Sequence, residues 1–114
     1  MIILTKKDII TINKKFAEGY FENESSLDFA LSLFKQNIPW TKQLAYLIRA
    51  VLVDHAFING NKRTACAVLL AYIDLNGCRV DEKQAITIIK NITLKNIKSA
   101  INIQRMIEDA ITKK

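Results

Sequence analysis

The stretch "TKQLAYLIRAVLVDHAFINGNKRTACAVLLAYIDLNG", residues 41–77, reads as two amphipathic helices joined by a short polar connection. In the first, Leu44, Leu47, Ile48, Val51 and Leu52 recur at the three- and four-residue spacing that lines one face of an α-helix. This helix is predicted from residue 41 to about residue 57, behind Pro39 and Trp40, and a step of four from Val51 puts His55 on its inward face. The second helix is predicted over about 62–76, with Ala65, Leu69, Tyr72 and Ile73 toward the core and Gly77 closing it. Between them lies "INGN", residues 58–61, where Gly60 permits a positive φ that a residue with a Cβ resists.

Working outward, the chain carries three Gly and one Pro in 114 residues, so long periodic segments dominate. This pattern predicts a compact all-α fold of about six helices in a single domain, residues 1–114. Thr5 caps "TKKDIITINKKFAEG", with Asp8 at the box position where Glu or Gln is usual and Gly19 at the end. Ser25 or Ser26 is the expected cap of a helix to about residue 36, with Leu27, Ala30, Leu31 and Phe34 along one face. Asp81 is placed to cap a shorter helix to about residue 91. A last helix from near residue 94 carries Ile97, Ile101, Ile107 and Ile111, whose branching lowers helix preference and leaves burial to supply stability.

Composition narrows the function classes. Half the residues are hydrophobic and a quarter charged, which describes a folded chain and not a disordered one. The excess of 17 Lys and Arg over 11 Asp and Glu permits nucleic acid, nucleotide or acidic-protein partners without selecting among them. The basic residues are scattered over several elements and form no reading helix, so nucleic-acid binding rests on net charge alone. Cys66 and Cys78 have too few companions for a zinc site or a disulfide framework and read as small apolar residues. The apolar start is too short for a signal peptide and no window reaches the roughly 20 residues of a membrane span, so a cytoplasmic location without a membrane partner is the expectation.

The chemistry concentrates at residues 55–64. A helix starting after Gly60 presents unpartnered N–H groups and the positive end of its dipole, and Lys62 and Arg63 add two cations there. Phosphate is the natural occupant of such a place. Arg63 can bind its oxygens bidentately, whereas Lys62 is a mobile point charge. Cations at a helix start oppose the dipole unless something negative is bound. His55, the only histidine, stands at the other edge, and an imidazole can take a proton from a hydroxyl that attacks a bound phosphate. The plainer alternative is a packed, hydrogen-bonded histidine beside a basic helix connection.

"HAFINGNKRTA", residues 55–65, resembles the motif HxFx(D/E)GN(G/K)R of the Fic and Doc (death-on-curing) family. The similarity extends over almost the whole chain, through "LTKKDII", "SSLDFALS", "AYLIRAVLVDHAF" and "TACAVLLAYIDLNGCRV". The resemblance implies a compact helical Fic/Doc domain that uses ATP or another nucleoside triphosphate, with Mg2+, to modify a protein hydroxyl. It implies His55 as the base, Phe57 as the anchor of the loop, Gly60 and Asn61 as the walls of the anion hole, and Arg63 on the nucleotide phosphates. Lys62 stands where adenylyl-transferring members have glycine and Doc has lysine, which implies phosphorylation of a target such as translation elongation factor Tu. Protein adenylylation (AMPylation) is the alternative within the same fold.

Asn59 departs from the pattern, standing where the family has the Asp or Glu that holds magnesium; its amide offers a carbonyl oxygen without the charge. A catalytically degenerate nucleotide- or partner-binding module is therefore a further alternative. Ala56 replaces the usual Pro. The family's self-inhibitory pattern (S/T)xxxE(G/N) does not occur, because Lys14 stands four before Glu18 and Gln104 four before Glu108. If the chain is active, the resemblance implies a toxin restrained by a separate antitoxin.

Overall fold

The computed structural model describes residues 4–114; residues 1–3, which belong to the apolar start read above, lie outside the described residues. Six α-helices order the described chain: α1 Lys6–Asn13, α2 Glu24–Ser32, α3 Trp40–Ile48, α4 Asn61–Leu75, α5 Glu82–Leu94 and α6 Ala100–Ala110. A 3-10 turn, Leu33–Lys35, continues α2, and a π-helical segment, Arg49–Val53, continues α3. One short antiparallel pair, β1 Cys78–Arg79 with β2 Thr112–Lys113, ties the end of the chain to the exit of α4.

Local signals set most helix starts. The Thr5 hydroxyl accepts from the Asp8 N–H and the Asp8 carboxylate accepts from the Thr5 N–H, so the shortened capping box closes. Asp81 caps α5 through the Lys83 N–H, and Ser99 caps α6 through the Asn102 N–H. The expected serine cap of α2 does not form. That helix starts two residues earlier than a Ser25 cap would set it, after Asn23, and Ser26 instead donates to the carboxylate of Asp54.

The last helix is also corrected. α5 runs on through Leu94 and α6 begins only at Ala100, where Ser99 supplies the cap. In α6 the fully buried positions are Ile103 and Ile107, one turn apart, while Ile101 is 56% exposed. Six residues at 3.6 per turn leave Ile101 and Ile107 about 120° apart, so one face cannot bury both.

α3 lies at the centre, packed on α2, α4 and α6. Its stripe of Leu44, Leu47 and Ile48 is fully buried and continues through Val51. From α4, Ala65, Leu69, Tyr72 and Ile73 enter the same core, as the spacing predicts. Each buried Leu or Ile side chain contributes about 2 kcal/mol over leaving it in water. The buried Tyr72 hydroxyl donates to Gln43 Oε1 at 2.7 Å, and burial pushes the phenol up to about 12. Cys66 is half-buried and Cys78 buried, both free. Among the described residues no helix is long and apolar enough to cross a membrane.

Candidate functional site

The loop that joins α3 to α4 begins with a change of helical pitch. The Asp54 N–H donates back five residues to the Arg49 carbonyl at 3.0 Å, and the Ala56 N–H reaches Ala50 at 3.1 Å. A wider turn advances each residue by less than 100°, and at Asp54 the chain leaves the helix altogether. The inward phase expected for His55 is therefore wrong. His55 is exposed, beyond the helix end, with φ of +54°. A left-handed backbone at a residue with a Cβ costs on the order of 1 kcal/mol, and such strain concentrates where a side chain must be aimed.

The next residues hold the loop in place. Ala56 and Phe57 are fully buried, and the Phe57 ring stacks on Phe21 with centroids 4.9 Å apart. The connection between α1 and α2 runs antiparallel to the loop here. The Ile58 N–H donates to the Tyr20 carbonyl at 3.0 Å, and the Glu22 N–H donates to the Ala56 carbonyl at 2.8 Å.

Asn61 then clasps the turn from inside. Its Oδ1 accepts from the Phe57 N–H at 3.0 Å and its Nδ2 donates to the Phe57 carbonyl at 2.7 Å. Both ends of the amide are engaged with backbone, so Asn61 shapes the loop. Gly60 takes φ of +78°, and a Cβ there would stand 3.1 Å from Ala17 Cβ and 3.3 Å from Asn13 Nδ2.

Asn13 is the residue that the sequence reading missed. It is fully buried at the end of α1; its Nδ2 donates to the Asn59 carbonyl at 2.9 Å and to Thr64 Oγ1 at 3.0 Å, and its Oδ1 accepts from the Gly19 N–H at 2.8 Å. One side chain thus joins α1, the loop and the first turn of α4. Its signal was an amide one turn beyond the buried Ile9, a polar residue at an inward position.

α4 opens with no side-chain cap, and its first closing bond is from the Thr64 N–H to the Gly60 carbonyl at 2.9 Å. The N–H groups before it point out of the helix end. Lys62 and Arg63 are exposed on that first turn, and among the described residues no carboxylate lies within 4 Å of either. His55, Gly60, Asn61, Lys62 and Arg63, with Phe16, line one open depression of about 400 Å³. Five of the six site residues read from the sequence therefore meet.

Asn59 does not join them. It is exposed and faces a separate small crevice beside Glu18, with its backbone carbonyl engaged by Asn13. Among the described residues no three His, Cys, Asp or Glu side chains are grouped so as to hold a metal ion. A single neutral amide outside the depression does not fit a protein-held magnesium ion.

Past Lys62 and Arg63 the surface continues into an apolar groove of about 440 Å³ between α4 and α5, with Cys66, Leu70 and Ile86 on its walls. Burial, with the Glu82 carboxylate adding to it, pushes the Cys66 thiol up, which keeps it protonated and a poor nucleophile. The depression thus offers anion-binding donors and an exposed imidazole, and no nucleophile of its own. No protein-family model matches the chain, and no curated protein matches it.

Proposed function

We propose that this chain is a Fic/Doc-like transferase that uses a nucleoside triphosphate to phosphorylate a hydroxyl of another protein. One observation carries the reading: an exposed imidazole and two cations without carboxylate partners among the described residues border the same depression at an uncapped helix start. The phosphates would lie against the α4 N–H groups, with Arg63 forked on their oxygens and Lys62 neutralising the charge that builds up as the phosphoryl group moves. The acceptor oxygen gives its proton to His55 and forms a bond to the γ-phosphorus. The bond from that phosphorus to its bridging oxygen breaks, and the nucleoside diphosphate leaves.

Lys62 favours γ- over α-phosphate transfer because its bulk and charge occupy the first turn, where a glycine would leave room for a different phosphate pose. No step in this scheme runs through a protein-held metal. The neutral Asn59 favours a second reading, a module that binds nucleotide or a partner protein without turnover.

Incubation with ATP labelled at the α- or the γ-phosphate, with purified elongation factor Tu and with whole lysate as acceptors, separates these readings. The γ label is expected on protein. Transfer of α label alone makes the chain an adenylyltransferase, and no transfer by the natural protein or by an Asn59→Asp variant leaves the binding module.

A further inference from the structure

The groove between α4 and α5 opens directly off the phosphate depression, and Phe16, Lys62 and Arg63 line both. We infer that this groove holds the base of the nucleotide and that it selects guanine, so that the chain uses GTP in preference to ATP. The base site presupposes the transferase reading above, since it completes the nucleotide whose phosphates lie at the start of α4.

Continuity and shape place a base here. The groove measures about 440 Å³, within the size range of small-molecule sites. Cys66 and Leu70 stand three and seven residues beyond Arg63 on α4, so the wall extends about 5 and about 10 Å from the phosphate-binding turn. Ala67, Leu70 and Ile86 give it an apolar lining suited to the faces of a planar ring. Phe16 is exposed at the junction of the two depressions and offers an aromatic face for stacking.

The charge pattern selects which base. Glu82 is the one carboxylate on the groove, against the cations Lys62, Arg63 and Lys90. It is exposed on the first turn of α5, and among the described residues no cation lies within 4 Å of it, so its oxygens are free to accept. Its charge is felt at the Cys66 thiol, on the opposite wall. A carboxylate beside a bound triphosphate opposes the ligand's charge, so it favours binding only where the ligand presents N–H donors to it. Guanine presents two side by side, N1–H and the 2-amino group, which match the two carboxylate oxygens as a fork. Adenine sets one amino group beside the lone pair of ring N1, and that lone pair would face the second oxygen. Cytosine has the same mismatch, and uracil places a single N–H between two carbonyls.

The test is a titration of the full chain, isotope-labelled for amide NMR, with GTP, ATP and inorganic tripolyphosphate. All three are expected to shift the amides of residues 61–64. GTP is expected to shift residues 66–70 and 82–90 as well and to bind at least tenfold tighter than ATP. Glu82→Gln keeps the size of the side chain, and is expected to bring the two nucleotides within about threefold of each other without weakening tripolyphosphate. Loss of a mere helix-end charge would not move that ratio. Equal binding of GTP and ATP by the natural chain, or a preference that survives Glu82→Gln, overturns the inference. Shifts confined to residues 61–64 overturn the base site, leaving the groove to a protein partner and the transferase reading intact. A guanine preference lost in Glu82→Gln, in a chain that moves no label from γ-labelled GTP to protein, overturns the transferase reading alone.

Discussion

Replacing Asn13 with alanine removes three hydrogen bonds from one buried point, to Asn59, Thr64 and Gly19. The cost divides by what water can reach afterwards. Asn59 is exposed and its carbonyl can be rehydrated, Gly19 is half-buried, and Thr64 is fully buried, so its hydroxyl loses a donor that nothing replaces. About 1 kcal/mol for each net hydrogen bond, with a further contribution for the stranded groups, gives a loss of about 3 to 4 kcal/mol. For a chain of this length that lowers the thermal midpoint by about 12 to 16 °C. Asn13→Asp keeps the acceptor for Gly19 but loses both donors and buries a charge, so it should cost at least as much. Urea unfolding with an unchanged slope, together with amide exchange at residues 58–63, measures both effects. The exchange rates should rise in both variants, because the loop loses its link to α1. A loss under about 1 kcal/mol in both variants, with exchange at the loop unchanged, would refute the role given to Asn13.

Three further outcomes follow from the same geometry. Gly60→Ala should lose about 1 to 2 kcal/mol, since its φ of +78° and the 3.1 Å approach to Ala17 Cβ both oppose a side chain; an unchanged midpoint in chemical denaturation contradicts the turn. His55→Gly should gain about 1 kcal/mol of stability by relieving the left-handed backbone while abolishing transfer, whereas His55→Ala abolishes transfer without that gain; equal stability of the two variants would mean that no strain is stored there. The Asp8 carboxyl is held below its ordinary 3.8, first by the Thr5 N–H and then by the Thr5 hydroxyl. It therefore contributes stability above that value which is lost as pH falls through the lowered one, and acid titrations of the natural protein and Asp8→Asn should converge at the acid end, a parallel pair of curves being the contrary result.

The helices were legible because their cores are periodic. The stripe from Leu44 to Leu52 and the positions Ala65, Leu69, Tyr72 and Ile73 are buried as the spacing requires. Thr5 and Asp81 cap as their chemistry predicts. His55 was misplaced because the extrapolation from Val51 assumed α-helical pitch through a segment that widens to a π-turn, and a hydrophobic pattern carries no signal for that change. Ile101 does not share the buried face because it stands six residues, about 120°, from Ile107 on the same helix. At the loop, the gathering of Gly60, Asn61, Lys62 and Arg63 could be read from adjacency alone. The tie from Asn13 could not, since its partners lie as far as 51 residues away in the chain. Nor could the separation of Asn59 from its neighbours, because a turn at positive φ decides which of four consecutive side chains face the depression.

The depression bordered by His55, Lys62 and Arg63 is proposed to transfer the terminal phosphate of a nucleoside triphosphate to a protein hydroxyl. Incorporation of γ-labelled phosphate into acceptor protein, compared between the natural chain and a His55→Ala variant that unfolds at a similar midpoint, tests it most directly. Labelled serine or threonine is expected with the natural chain and none with the variant. Equal labelling by both would contradict it, because the phosphate would then be moving without the base on which the site is built.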